Sequence, residues 1–364
     1  MYITLSGIAA ICVATVVFFN QPMFGRLPRG ERLERMLKSP NYRNGKFQNL
    51  SPSMLMTSEK STLSNMFNFL RKVEGLRPET DLPTVKTDLK QFRQNGDVMV
   101  WLGHSSLFIQ TNGSRFLIDP VLVKASPVSF VNKPFKGTKI YTPDDIPDID
   151  FLIITHDHYD HLDYKTVKRI KDRTQKVICP LGVGEHLEYW GFDKDCIIEL
   201  DWNESAVLNS AMMIHCLPAR HFSGRRGLSS DKTLWASFML QTPSRSIYLS
   251  GDSGYDAHFA EIGKRFPDID LAIMENGQYN ENWRFIHMMP EDLVKAIKDL
   301  NAEKVFTVHN SMYALGKHRW YEPLDNISRA AERDSLNLIT PMIGETVYLN
   351  DTMQTFRKWW LNIK

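Results

Sequence analysis

Cysteine is scarce in this chain: four residues in 364, Cys12, Cys179, Cys196 and Cys216, with no two spaced as CxxC. That excludes a disulfide framework and a cysteine-based zinc site. An excess of one charge is also missing. Lys plus Arg number 44 against 42 for Asp plus Glu, a net +2; without a concentrated basic face, no nucleic-acid partner is expected. Only one apolar stretch approaches membrane length, which excludes a multi-span membrane protein. No repeat of fixed period and no low-complexity tract occurs. What is there is ordinary. With 43% hydrophobic and 24% charged residues, the chain has a globular composition and can bury a large core. Its length alone would allow two domains.

No charged side chain occurs from Met1 to Gly25, and Ile3 to Phe19 is apolar except at Thr4, Ser6, Gly7 and Thr15. As a helix this stretch measures roughly 26 Å, the low end of a membrane span. No Lys or Arg precedes it, so the positive region of a signal peptide is missing. Residues 26–50 then carry Arg26, Arg29, Arg32, Arg35, Lys38, Arg43 and Lys46 against Glu31 and Glu34, a local +5. Residues 1–25 therefore read as a membrane anchor, with the rest of the chain cytoplasmic by the positive-inside rule. The basic flank would favour a membrane surface with anionic lipid. The alternatives are an exported, periplasmic chain and a buried N-terminal helix. Residues 26–95 read as a basic linker and arm. Its apolar pieces, Met54, Leu55 and Met56, then Met66, Phe67, Phe69 and Leu70, either pack on the main domain or line an acyl-chain groove or a homodimer contact.

From residue 96 to 350 the pattern is that of one layered α/β domain, followed by a tail at 351–364. Val98–Leu102, Ser106–Gln110 and Arg115–Ile118 read as strands, the last two joined by the turn Thr111-Asn112-Gly113-Ser114. Phe151–Thr155, Lys176–Cys179, Ala211–Leu217, Ala236–Gln241, Ser246–Ser250, Leu271–Met274 and Lys304–Val308 are further apolar strands. Helical spacing occurs at Thr166–Arg173 and at Glu291–Leu300, the latter opened by Pro290.

The strongest signal is Thr155-His156-Asp157-His158-Tyr159-Asp160-His161-Leu162-Asp163, directly after a buried strand. In a helix, His156 and His158 would point about 200° apart, and one metal would not see both. On a loop leaving a strand end, His156, His158, Asp160 and His161 can turn toward one point. Imidazoles with one or two carboxylates suit zinc or a similar first-row metal. Other strand ends offer more ligands. SIYLSGD delivers Asp252, with Gly251 beside it for a tight turn, and KVFTVH delivers His309. In IHCLPARH, His215 lies within the strand and reads as structural, and His221 lies on the loop and is the better ligand.

These motifs carry a resemblance. THDHYDHLD is the HxHxDH signature of the metallo-β-lactamase fold superfamily. WLGHSS at 101–106, LIDP at 117–120, PARHF at 218–222, KTLWASF at 232–238, LSGDSGYDAHFAEIGKRF at 249–266, HMMPEDLVKA at 287–296 and VHNSMYAL at 308–315 resemble more specifically the N-acylphosphatidylethanolamine-hydrolysing phospholipase D family. The resemblance covers about residues 90–345 and extends to bacterial lactonase-like relatives. It implies a four-layer αββα sandwich with two metals at one edge, usually zinc. His156, His158 and His221 would hold the first metal, Asp160, His161 and His309 the second, and Asp252 would bridge them. The sequence departs from the phospholipase pattern at Glu275-Asn276-Gly277-Gln278-Tyr279-Asn280, where that pattern is more apolar.

Two divalent ions can share a hydroxide and direct it at an electrophile. At phosphorus the reaction would release phosphatidic acid and an N-acylethanolamine from an N-acylated phospholipid. Asp160 and Asp252 would act through the metals, and His287, just before a helix, is the candidate proton donor or oxyanion contact. Asp119 would orient a metal-bound histidine, and His104 lines the cleft or has a structural role. A lactonase or soluble phosphodiesterase would use the same core. A membrane-tethered metal-binding protein without turnover is the reading from another class.

Overall fold

The strand Ser106–Thr111 shows how the sheets are built. All six residues are buried, and successive side chains leave on opposite faces. Leu107 and Ile109 enter one apolar cluster, and Phe108 enters another. A strand buried on both faces belongs to the inside of a layered fold. A computed structural model describes residues 2–57, 73–128, 130–225 and 230–363. Met66, Phe67, Phe69 and Leu70 lie outside them.

A short hairpin, β1 (Tyr42–Arg43) and β2 (Lys46–Phe47), precedes the main body. Then come β3 (Val98–Gly103), β4 (Ser106–Thr111), β5 (Ser114–Ile118), β6 (Ile149–Ile153), β7 (Thr174–Pro180) and β8 (Ile197–Leu200). The second half supplies β9 (Ser205–Asn209), β10 (Met212–Leu217), β11 (Ser237–Gln241), β12 (Ser246–Leu249), β13 (Leu271–Glu275), β14 (Lys304–Val308), β15 (Leu338–Ile339) and β16 (Thr346–Tyr348). They form two seven-stranded sheets, ordered β16-β3-β4-β5-β6-β7-β8 and β9-β10-β11-β12-β13-β14-β15. Read in these orders, each sheet has three antiparallel pairings followed by three parallel ones.

Trp101, Ile109, Phe116 and Ile118 from one sheet meet Phe238, Leu240, Leu249 and Phe306 from the other in the central core. Helices Tyr164–Ile170 and Gly184–Tyr189 cover the outer face of the first sheet through Val167, Ile170 and Leu187. Helices His258–Arg265, Pro290–Leu300 and Glu322–Asp334 cover the second through Phe259, Ile262, Ile297 and Ile327. This is the four-layer αββα sandwich. Its parallel strands bring their C-terminal ends to one edge, where open α/β sheets place ligands.

The expected membrane anchor is overturned. Among the described residues no helix is long and apolar enough to cross a membrane. The N-terminal helix Tyr2–Phe19 has 18 residues, about 27 Å at 1.5 Å per residue, which leaves no margin over the shortest membrane spans. Its C-terminal end is tied to the domain: Phe18 and Phe19 pack on Phe24, and Phe24 packs edge-on against Tyr159. The placement by the positive-inside rule falls with the anchor. Much of the basic flank faces protein. Arg32 pairs with Glu185, Glu188 and Glu199, Arg26 with Glu185 and Glu188, and Arg35 with Glu204. The arm also packs inward, with Met36 and Phe47 buried in the central core, while Met54, Leu55 and Met56 are exposed.

Candidate metal centre

β6 ends at Ile153, and the chain turns out of the sheet through Thr155 into the histidine-rich loop. His156 Nε2 lies 2.9 Å from His158 Nδ1, and His221 Nε2 lies 3.2 Å from the same atom. On the other side of the cluster, His309 Nε2 is 3.4 Å from Asp160 Oδ2. Asp252 sits between the two groups. Its Oδ2 is 3.2 Å from His161 Nε2 and from His309 Nε2, 3.7 Å from His221 Nε2 and 3.8 Å from His156 Nε2. The seven residues expected from the resemblance thus converge. Gly251 makes the turn after β12 possible: its φ is +57°, and a Cβ there would meet Ala236 O at 2.7 Å and Thr155 Cβ at 3.0 Å.

The donor set fits a divalent metal. Tetrahedral donors about 2.0–2.1 Å from a metal stand about 3.4 Å from one another, and the distances above bracket that value. Asp252 Oδ1 is buried with no hydrogen-bond partner among the described residues. Uncompensated polar atoms at that depth are costly unless a cation meets them. Burial, with His161 next, holds the His156 ring well below the usual histidine range. Burial also lowers His221. Both are therefore neutral, as metal ligands must be. Burial pushes the Asp252 carboxyl up, but His161 and His309 outweigh it and keep it well below the usual carboxylate range.

A second set of groups aims these ligands. Asp119, just past β5, has Oδ2 2.8 Å from His161 Nδ1 and accepts the Thr155 N–H and hydroxyl at 2.8 and 2.7 Å. Thr155 Oγ1 is 3.0 Å from His156 Nδ1. His221 Nδ1 is 2.8 Å from Ile286 O. Each contact leaves the opposite ring nitrogen for the centre. His104 Nε2 lies 3.1 Å from Asp160 Oδ2, so His104 is at the centre's edge. Asp119, His104 and His309 have φ of 41°, 50° and 66°, a region costing of order 1 kcal/mol or more for a non-glycine residue. Three such positions therefore lie at this edge.

His287 stacks on His309 at 5.2 Å and meets His221 at 5.0 Å between ring centroids. Its Nδ1 is 3.0 Å from Glu275 Oε1. Two contributors escaped the sequence reading. Glu275 closes the apolar strand β13 as Asp252 follows β12, so the strand-end rule could have found it. Asn49 of the arm brackets a ligand: its amide donates to His221 O at 2.8 Å and accepts the His221 N–H at 3.1 Å. No local pattern marks that asparagine. Four other histidines, His186, His215, His258 and His318, lie outside the cluster, and His318 Nε2 accepts the Gln278 N–H at 2.7 Å. His215 contacts Ser205 and Gln241, His186 contacts Asp157, and His258 lies 3.3 Å from Ser253 Oγ.

Residues 114–310 match the family described as Beta-lactamase superfamily domain. An uncharacterized protein of Mycobacterium tuberculosis is 35% identical over 332 residues, 89% of this chain and 88% of the relative. N-acyl-phosphatidylethanolamine-hydrolyzing phospholipase D 1 of Caenorhabditis elegans is 31% identical over 334 residues, 83% of this chain and 92% of the relative. Among solved structures, CmlA, a diiron beta-hydroxylase from Streptomyces venezuelae, superposes with a TM-score of 0.56 at 19% identity, over 70% of this chain and 55% of that one. At that identity the likeness concerns the fold alone.

Proposed function

This chain belongs to the metallo-β-lactamase superfamily, whose metallo-hydrolases are its kin, and from that membership we propose that it hydrolyses the headgroup-side phosphodiester of N-acylphosphatidylethanolamine-type phospholipids. The observation that carries this reading is the likeness to the nematode phospholipase D over 92% of that enzyme's length. The convergence of five imidazoles and two carboxylates at one edge supports it. We assign His156, His158 and His221 to one metal, Asp160, His161 and His309 to a second, and Asp252 to both. Zinc is the metal this donor set suits best.

Bound divalent metals supply charge to polarise a phosphoryl oxygen and lower the pKa of a water toward about 7. The protein's own residues do the rest. Asp119, Thr155 and the Ile286 carbonyl hold the ligand rings in fixed orientation. Asp160 and Asp252 balance the positive charge of the centre. His287, at the rim, is placed to give a proton to the departing oxygen.

The test is direct. Metal-loaded protein incubated with N-acylphosphatidylethanolamine in mixed micelles should release N-acylethanolamine and phosphatidic acid, and Asp252→Asn should lose this activity while keeping its fold. The polar stretch Glu275–Asn280, with Glu275, Asn276 and Gln278 all buried, favours a second reading, a lactonase or soluble phosphodiesterase. Cleavage of those compounds with the phospholipid left intact would establish it.

A further inference from the structure

Glu275 is the last residue of β13 and is fully buried. A carboxylate in that position needs partners, and it has them on both oxygens. Oε2 accepts the Ser253 N–H at 2.6 Å. Oε1 lies 3.0 Å from His287 Nδ1, and the Met288 N–H also donates to the carboxyl. Burial, with Asp252 next, pushes the Glu275 carboxyl well above the usual carboxylate range, and the Ser253 and Met288 N–H groups pull against that shift. The contact with Oε1 occupies Nδ1, so Nε2 is the His287 nitrogen left for the cleft. One His287 ring nitrogen, an Asp252 oxygen and a His221 nitrogen all lie within 4.8 Å of one another. Ser253 adjoins Asp252, so a single carboxylate ties the turn carrying Asp252 to the segment carrying His287.

We propose that Glu275 is a positioning residue that fixes His287 as the proton donor to the leaving group. The contact between Glu275 Oε1 and His287 Nδ1 holds the ring with Nε2 toward the departing oxygen, as a carboxyl group that orients a catalytic imidazole does. The inference rests on the hydrolase reading above. In the step, a water oxygen forms the new bond to phosphorus and the bond to the alcohol oxygen breaks. His287 Nε2 gives its proton to that oxygen, and the proton shed by the attacking water returns to the ring through solvent. An alkoxide leaving group needs this proton, whereas a nitrophenolate leaves without it.

The experiment compares N-acylphosphatidylethanolamine with bis(4-nitrophenyl) phosphate, using full-length metal-loaded protein. Glu275→Gln should lose on the order of a hundredfold in kcat on the alkoxide substrate, within the range for general acid catalysis. The loss on the nitrophenyl substrate should be under about tenfold, at unchanged metal content. The double variant with His287→Asn should lose no more than His287→Asn alone. Equal losses on both substrates, or none on either, would overturn the assignment. If Glu275→Gln does not fold, Glu275→Asp keeps the carboxyl group, shortens the reach and must show the same split. If the wild type cleaves neither phosphodiester, the phospholipase reading fails by itself. The comparison then moves to an alkyl and an aryl ester, where the same split decides the Glu275 assignment.

Discussion

At His161 two carboxylates compete for one ring. Burial alone would push this imidazole down, but Asp252 and Asp119 outweigh it and hold it well above the usual histidine range. A metal at Nε2 must displace the proton held there. Metal affinity should therefore rise with pH, by roughly tenfold per unit while one proton is released. A competition titration against a chelator at several pH values measures it. Asp119→Asn withdraws the charge that orients the ring, and should weaken metal binding by about 10–100-fold. An affinity that ignores both pH and this substitution would remove His161 from the centre.

At the scale of elements, the helix Gly30–Leu37 docks through Arg32, whose guanidinium reaches Glu185, Glu188 and Glu199. Arg32→Met should cost about 2–3 kcal/mol, read from the urea midpoint. That is below the 3–5 kcal/mol of a fully buried broken pair, because Glu188 is partly open to water. An unchanged midpoint would mean the arm adds nothing to stability. The same pair shows what was legible in the sequence. Strands announce themselves by local alternation, and metal donors by standing just past a strand end, so the histidine loop, Asp252 and His309 were readable from short windows. The partners of Arg32 were not, because Glu185 lies 153 residues away. A basic flank next to an apolar run looks like a lipid-facing anchor until those carboxylates are placed beside it. Asn49 was hidden for the same reason, lying 172 residues from the His221 backbone it clasps. Glu275 stands where the strand-end rule points, but its burial and its pairing with His287 depend on neighbours outside the strand and were not legible.

Over the whole molecule the two sheets repeat one plan. Each runs from antiparallel to parallel pairing, and each sends its parallel ends to the shared edge. No fixed sequence period betrays this, since the repeat lies in topology and the loop lengths differ. Asp119 follows β5 and Asp252 follows β12, corresponding strands of the two halves, one carboxylate orienting a ligand and the other placed among the donors. The centre is therefore a seam between halves, and a bound metal should stiffen both. The most direct measurement is the metal content of the purified chain by elemental analysis, followed alongside hydrolysis as metal is removed and restored. The account predicts two first-row metal ions per chain, activity lost on chelation and regained with zinc, and neither content nor activity restored in Asp252→Asn. Full turnover by metal-free protein would contradict it.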